Sequence, residues 1–135
     1  MLLDVNNQDY DIEYEIIKIC GKQYSIIKRI IHKNFGSFRY KMLSISKNRF
    51  DINFEEYNNT VYLNFDLRSK GIVFYFRFKN TEYVEFCPFH SLTFQSNDKS
   101  FIIQTDTNTY NFEIMNSKKH KHFILKLYDF INKKI

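Results

Sequence analysis

Ile72-Val73-Phe74-Tyr75-Phe76-Arg77-Phe78 is the most apolar stretch of the chain, and its reading decides the fold. Aromatic and β-branched residues fill it, with Leu67-Arg68-Ser69-Lys70-Gly71 as a reversal before it and Lys79-Asn80-Thr81 as a turn after it. Such residues suit a pleated surface, and the apolarity predicts a central strand. Short alternating runs continue on both sides. Upstream, Val61, Leu63 and Phe65 oppose Tyr62, Asn64 and Asp66; before them Phe50, Ile52 and Phe54 alternate with Asp51, Asn53 and Glu55, and residues 38–45 open the series. Downstream, residues 83–86 read as a strand that Pro88 bends by removing a ladder donor, resuming over 92–94. Phe101-Ile102-Ile103 and the alternating Tyr110, Phe112 and Ile114 complete seven strands. Turns recurring about every 10 residues predict an antiparallel meander closing as a barrel or sandwich.

The flanks read differently. Residues 1–9 are polar and expected to be disordered, which puts a single domain at residues 10–135. Tyr10-Asp11-Ile12-Glu13-Tyr14-Glu15-Ile16 alternates with period two and favours a strand, although Ile12, Ile16 and Ile19 also share a helical face. Ile26, Ile27, Ile30 and Ile31 recur at helical spacing opposite Lys28, Arg29, His32 and Lys33, predicting an amphipathic helix over residues 22–34 ended by Gly36. At the other end Asn116 or Ser117 caps a last helix whose apolar face is Phe123, Ile124, Leu127, Tyr128 and Ile131. That face needs a cover, and the open end of the barrel supplies one. The fold class is α+β, mainly β.

Composition bounds the function. Of the charged residues, 20 are Lys or Arg and 15 Asp or Glu, a net charge of +5 that permits an anionic partner without requiring one. Ala and Trp are absent while Ile, Lys, Asn, Phe and Tyr abound, a bias that A/T-rich codons produce by themselves. No apolar run reaches transmembrane length and the start lacks a secretory pattern, so a cytoplasmic location is expected. Cys20 and Cys87 lie far apart in apolar stretches and read as reduced thiols. Three glycines form no phosphate loop, and no nucleophile elbow or zinc pattern occurs, so no enzyme, metal or cofactor is expected.

Basic and aromatic residues supply the remaining candidates. Arg39, Lys41, Lys47 and Arg49 surround the first hairpin, and Lys118, Lys119 and Lys121 flank His120 and His122 in a first helical turn expected to be solvated. Both clusters could hold an anion. The positive helix start opposes the macrodipole, a mild cost. Tyr62, Tyr75 and Tyr83 are the exposed rings on which single-stranded nucleic acid would stack.

Seven meandering strands and a C-terminal helix resemble the pleckstrin-homology (PH-like) superfold. With a strand and a helix ahead of the barrel, and with Asn64-Phe65-Asp66-Leu67-Arg68-Ser69-Lys70-Gly71-Ile72 and Cys87-Pro88-Phe89-His90-Ser91-Leu92, the chain resembles small bacterial YcxB-like proteins. Those carry two transmembrane helices between helix and barrel, whereas this chain runs directly through Phe35-Gly36-Ser37-Phe38. In lipid-binding PH domains, basic residues of the first hairpin grip headgroups, which is the role the resemblance would assign to Arg39 and Lys41. The expectation for function is a non-enzymatic interaction module that binds a protein partner or itself through Ile26, Ile27, Ile30 and Ile31. The alternative is binding of a phospholipid headgroup or nucleic acid through the basic clusters.

Overall fold

The computed structural model describes residues 1–25, 37–55 and 57–133. Two antiparallel sheets enclose the main core. The four-stranded sheet has the order β1 (Leu2–Asp4), β6 (Thr81–Pro88), β5 (Gly71–Phe78), β4 (Phe65–Leu67). The five-stranded sheet has the order β3 (Val61–Leu63), β2 (Tyr40–Ile45), β9 (Thr109–Glu113), β8 (Ser100–Gln104), β7 (Thr93–Ser96). Helix α1 spans Ile12–Cys20 and α2 spans Ser117–Ile131. The mainly-β, α+β expectation holds with its C-terminal helix. Closure as a barrel does not: the ladders form two sheets, and β6 and β7 are joined only by a short 3-10 turn, Phe89–Ser91.

β5 is central, paired with β4 on one side and along its whole length with β6 on the other. The inward alternation of Val61, Leu63 and Phe65 is also seen, all three being buried. The run is not one strand, however. It leaves one sheet at Leu63 and enters the other at Phe65, with Asn64 between them donating to the Ser37 carbonyl at 2.7 Å. α2 closes the space between the sheets. Phe123 stacks on Phe65 and meets Phe101 edge-on, and Leu127 and Phe130 are buried beside it.

Four expectations are corrected. Residues 1–9 are not a disordered start: Leu2–Asp4 pairs with β6, with Leu2 and Leu3 buried, because two adjacent leucines feed the cores on opposite faces of the sheet. The domain therefore begins ahead of residue 10. The period-two run at 10–16 is helical from Ile12. Asp11 accepts from the Tyr14 amide at 3.2 Å, Glu13 and Glu15 occupy the positive first turn, Lys18 the last, and Gly21 ends it at φ 91°. Ile16 and Cys20 then face Val73, Val84 and Phe86 on the outer side of the four-stranded sheet, while Tyr14 is left in solvent.

The strand expected over Phe50–Phe54 is absent. The Asn48 side chain accepts from the Phe50 and Ile52 amides and donates to the Ile52 carbonyl, and Asp51 turns to φ 55°, so local bonds replace a ladder. Residues 22–25, the start of the expected second helix, are not helical, and Ile26, Ile27, Ile30 and Ile31 lie outside the described residues. Gly71 sits so close to both β6 and α1 that an added Cβ would lie 2.4 Å from the Cys87 carbonyl and 2.6 Å from the Cys20 sulfur.

Candidate functional site

Sheet edges are where backbone donors and acceptors look for partners, and this fold has capped most of its own. Along β1 the odd residues bond to β6, leaving Leu2 outward; Arg49 donates to the Leu2 carbonyl at 2.7 Å. Along β4 the outward amide and carbonyl of Phe65 are both taken by Ser37, through its hydroxyl (2.8 Å) and its amide (2.8 Å). β3, the opposite edge of the five-stranded sheet, passes close to β5, although no ladder joins the two. β7 differs. It pairs with β8 on one side, and among the described residues nothing pairs with the other.

What holds β7 is α2. His120 is buried, with Nδ1 against the Tyr40 hydroxyl and Nε2 2.7 Å from the Ser96 hydroxyl. Burial pushes the Tyr40 phenol well up, so it stays protonated, and a neutral imidazole with one donor and one acceptor nitrogen bridges the two hydroxyls in either tautomer. Burial also lowers the His120 pKa, keeping the ring neutral as this arrangement needs. Two turns on, Tyr128 packs edge-on against Phe94 at 5.3 Å. Asn116 starts the helix by accepting from the Lys119 amide at 3.0 Å.

The flank of α2 beside β7 carries Lys121, Leu125 and Tyr128, which helical spacing places on one face. Leu125 is 65% exposed and Tyr128 50%. A free sheet edge thus borders an apolar helical stripe. Sequence reading assigned Tyr128 to the buried face and selected neither Leu125 nor β7. A Leu on the polar side of an amphipathic helix was the available signal.

The predicted basic residues do not form one site. Arg39 and Lys41 lie at one end of β2 and Lys47 and Arg49 past the other, about 20 Å apart at strand rise. The Arg39 guanidinium lies 4.3 Å over the Tyr62 ring, and Lys41 has Glu113 opposite it in the ladder. Lys47 and Arg49 line a cleft of about 360 Å³ with Met1 and Tyr10. Of its positive groups, the Met1 amine is answered within the fold, lying 3.0 Å from buried Glu85 and 2.9 Å from Asp106, and Arg49 is held by the Leu2 carbonyl. Burial works against that amine's charge, but the two carboxylates outweigh it and raise its pKa. Lys118, Lys119 and Lys121 are exposed, with no acidic residue in the first turn of α2, whereas the expected solvation of His120 is overturned. Of the rings proposed for stacking, Tyr62 and Tyr75 are exposed and Tyr83 is buried against Phe76 and Phe50.

A larger groove of about 760 Å³ opens between the ends of the helices, lined by Lys18, Lys70, Phe89, His90, Phe130 and Lys133. Lys18 sits in the last turn of α1, where positive charge offsets the carbonyl ends, and Lys133 follows the Asn132 cap of α2. Both cysteines are free and buried, and burial pushes Cys20 up to about 12 and Cys87 to about 11, so neither is a thiolate at neutral pH. Among the described residues no cluster of His, Cys, Asp and Glu is placed to hold a metal ion, and no helix is long and apolar enough to cross a membrane. Comparison with family models, curated proteins and solved structures returns no match.

Proposed function

We propose that this chain is a non-enzymatic interaction module that recognises protein through the β7 edge and the adjoining flank of α2. One observation carries the reading: the sheet edge without a cap lies beside the most exposed large apolar side chain, Leu125. Strand addition at an edge supplies main-chain hydrogen bonds, and an apolar neighbour supplies side-chain selectivity. A PH-like fold of the small bacterial YcxB-like kind, without the transmembrane pair, is part of the proposal. Its supports are the two antiparallel sheets and a C-terminal helix seated between them. The fold by itself would not decide the ligand.

Capture from native lysate tests this when wild type is run beside Leu125→Asp and a triple Lys118/Lys119/Lys121→Glu variant, with nuclease and at raised salt. A defined protein retained by wild type and by the triple variant, and lost with Leu125→Asp, is the expected result. A second reading, an anionic-surface binder, rests on three exposed lysines at the start of α2 with no acid in that turn. It predicts the opposite pattern: loss with the triple variant and with salt, because charge-driven binding is screened.

A further inference from the structure

We infer that the partner of the β7 edge is a second copy of this chain, the two β7 strands pairing antiparallel about a two-fold axis through Gln95. The inference rests on the protein-binding reading and names its occupant. In antiparallel ladders successive residues turn their backbone groups to alternate sides. The Asn97 amide donates to the Ser100 carbonyl, closing the β7–β8 turn, so Gln95 and Thr93 also face β8. The amides and carbonyls of Phe94 and Ser96 therefore face outward. That outward set is self-complementary. Placing Phe94 opposite Ser96 of the second copy lets each pair exchange two N–H···O bonds, and the two-fold repeats the exchange, which is what an isologous contact requires.

The helices agree with this geometry. Ser96 meets His120 and Phe94 meets Tyr128, so α2 runs antiparallel to β7 and Ile124 lies level with Gln95. The same axis then sets the two α2 helices antiparallel and side by side along their β7 flanks. Leu125 approaches its own counterpart near the axis, covering the most exposed apolar side chain on the helix. Lys121, three residues before Ile124, comes level with Tyr128, four residues after it, on the other copy. Such a meeting of ammonium and ring face is favourable. Asp129 comes level with Lys118 and Lys119 of the other copy, so charges of opposite sign meet although the chain as a whole is basic.

The other edges are more obstructed. Arg49 holds the outward Leu2 carbonyl of β1, Ser37 both outward groups of Phe65 in β4, and β3 passes close to β5. β7 also lacks the usual deterrents, since Thr93-Phe94-Gln95-Ser96 contains no charge and no proline.

Sedimentation equilibrium over a dilution series decides the matter. Wild type should reach twice 16.5 kDa. Ser96→Pro removes an outward amide and should give a monomer, whereas Ser96→Ala removes the hydroxyl but keeps that amide and should remain dimeric. Leu125→Asp should weaken association at least tenfold. Because its side chain is 65% exposed, Leu125→Asp keeps the test decisive even if Ser96→Pro misfolds. Amide exchange at Phe94 and Ser96 should slow as protein concentration rises. A wild-type monomer throughout, or a dimer indifferent to Leu125→Asp, overturns self-pairing. A monomer that still captures a protein in a Leu125-dependent way overturns self-pairing alone and leaves the protein-binding reading standing.

Discussion

β1 and β7 are both short, both lie at the outer edge of a sheet, and are treated in opposite ways. β1 is fastened from both sides. The Met1 carbonyl and Val5 amide bond to β6, the Met1 amine meets Glu85, and Arg49 caps the outward carbonyl of Leu2. β7 is fastened on one side by its ladder and from beneath by α2, while its outward backbone is left open. The difference teaches that the outward backbone groups of an edge in this fold are capped by side chains brought from distant sequence. Where no such side chain is supplied, the edge becomes the candidate for function.

The β1 fastening centres on Glu85, which is fully buried and accepts from Thr105 (2.7 Å), Thr107 (3.0 Å) and Tyr110 (3.0 Å) besides facing the Met1 amine. Glu85→Ala should cost about 3 kcal/mol, because it strands the buried Tyr110 hydroxyl and takes from the Met1 amine one of its two carboxylates, leaving Asp106. Glu85→Gln, which keeps an acceptor, should fall between. Urea denaturation measures both; a loss under about 1 kcal/mol for Ala would mean that this network does not hold β1. The β7 side depends instead on packing. Leu127→Ala should cost about 3 kcal/mol by opening a cavity under α2. Amide exchange should then accelerate in β7 and α2 before β1. Equal acceleration at both edges would show that the two fastenings are not independent.

How much of this contrast was legible in sequence follows from where its information lies. The run at 72–78 is rich in aromatic and β-branched residues and that at 109–113 alternates, and both are flanked by turns, so their strands could be read from local pattern. The start of α2 at Asn116 was legible for the same reason. Helix α1 was misread because Tyr10, Ile12, Tyr14 and Ile16 satisfy period two while Ile12, Ile16 and Ile19 share a helical face, and the Asp11 cap that decides between the two is one residue. The strand assigned to 50–54 failed because Asn48 supplies backbone partners locally. Arg49 looked like part of an anion cluster, yet it caps a strand 47 residues away in sequence. The functional edge was illegible for that reason: a strand is an edge only by virtue of what does not pair with it, which no local pattern records.

pH should separate the two edges further. His120 has its folded-state pKa lowered by burial, so the native state binds fewer protons than the unfolded chain. Its contribution is complete above the unfolded value of about 6.5 and is lost as pH falls through the lowered value. Charging the ring makes both nitrogens donors and removes the acceptor nitrogen that one of its two hydroxyl partners, Tyr40 or Ser96, uses. Stability measured from pH 7.5 to 5 should fall more steeply in wild type than in His120→Gln, with exchange in β7 rising first. Parallel curves for the two proteins would remove His120 as the cause.

The smallest effect tests whether capping alone distinguishes the edges. Arg49→Ala should cost about 1 kcal/mol, the net worth of one hydrogen bond whose acceptor can turn to water. Stability is not the informative readout; association is. If an uncapped edge were enough to recruit a strand, this variant would associate through β1. Asp4 argues against that outcome, since it is the other outward-facing residue of β1 and its carboxylate sits at the strand end, accepting from the Asn6 amide. A charge on an edge deters pairing, because the incoming strand would have to desolvate it. Sedimentation of Arg49→Ala should therefore match wild type, whereas Arg49→Ala combined with Asp4→Asn should add a larger species. New association in the single variant would mean that the arginine alone keeps β1 closed, and that β7 is open only because it lacks one.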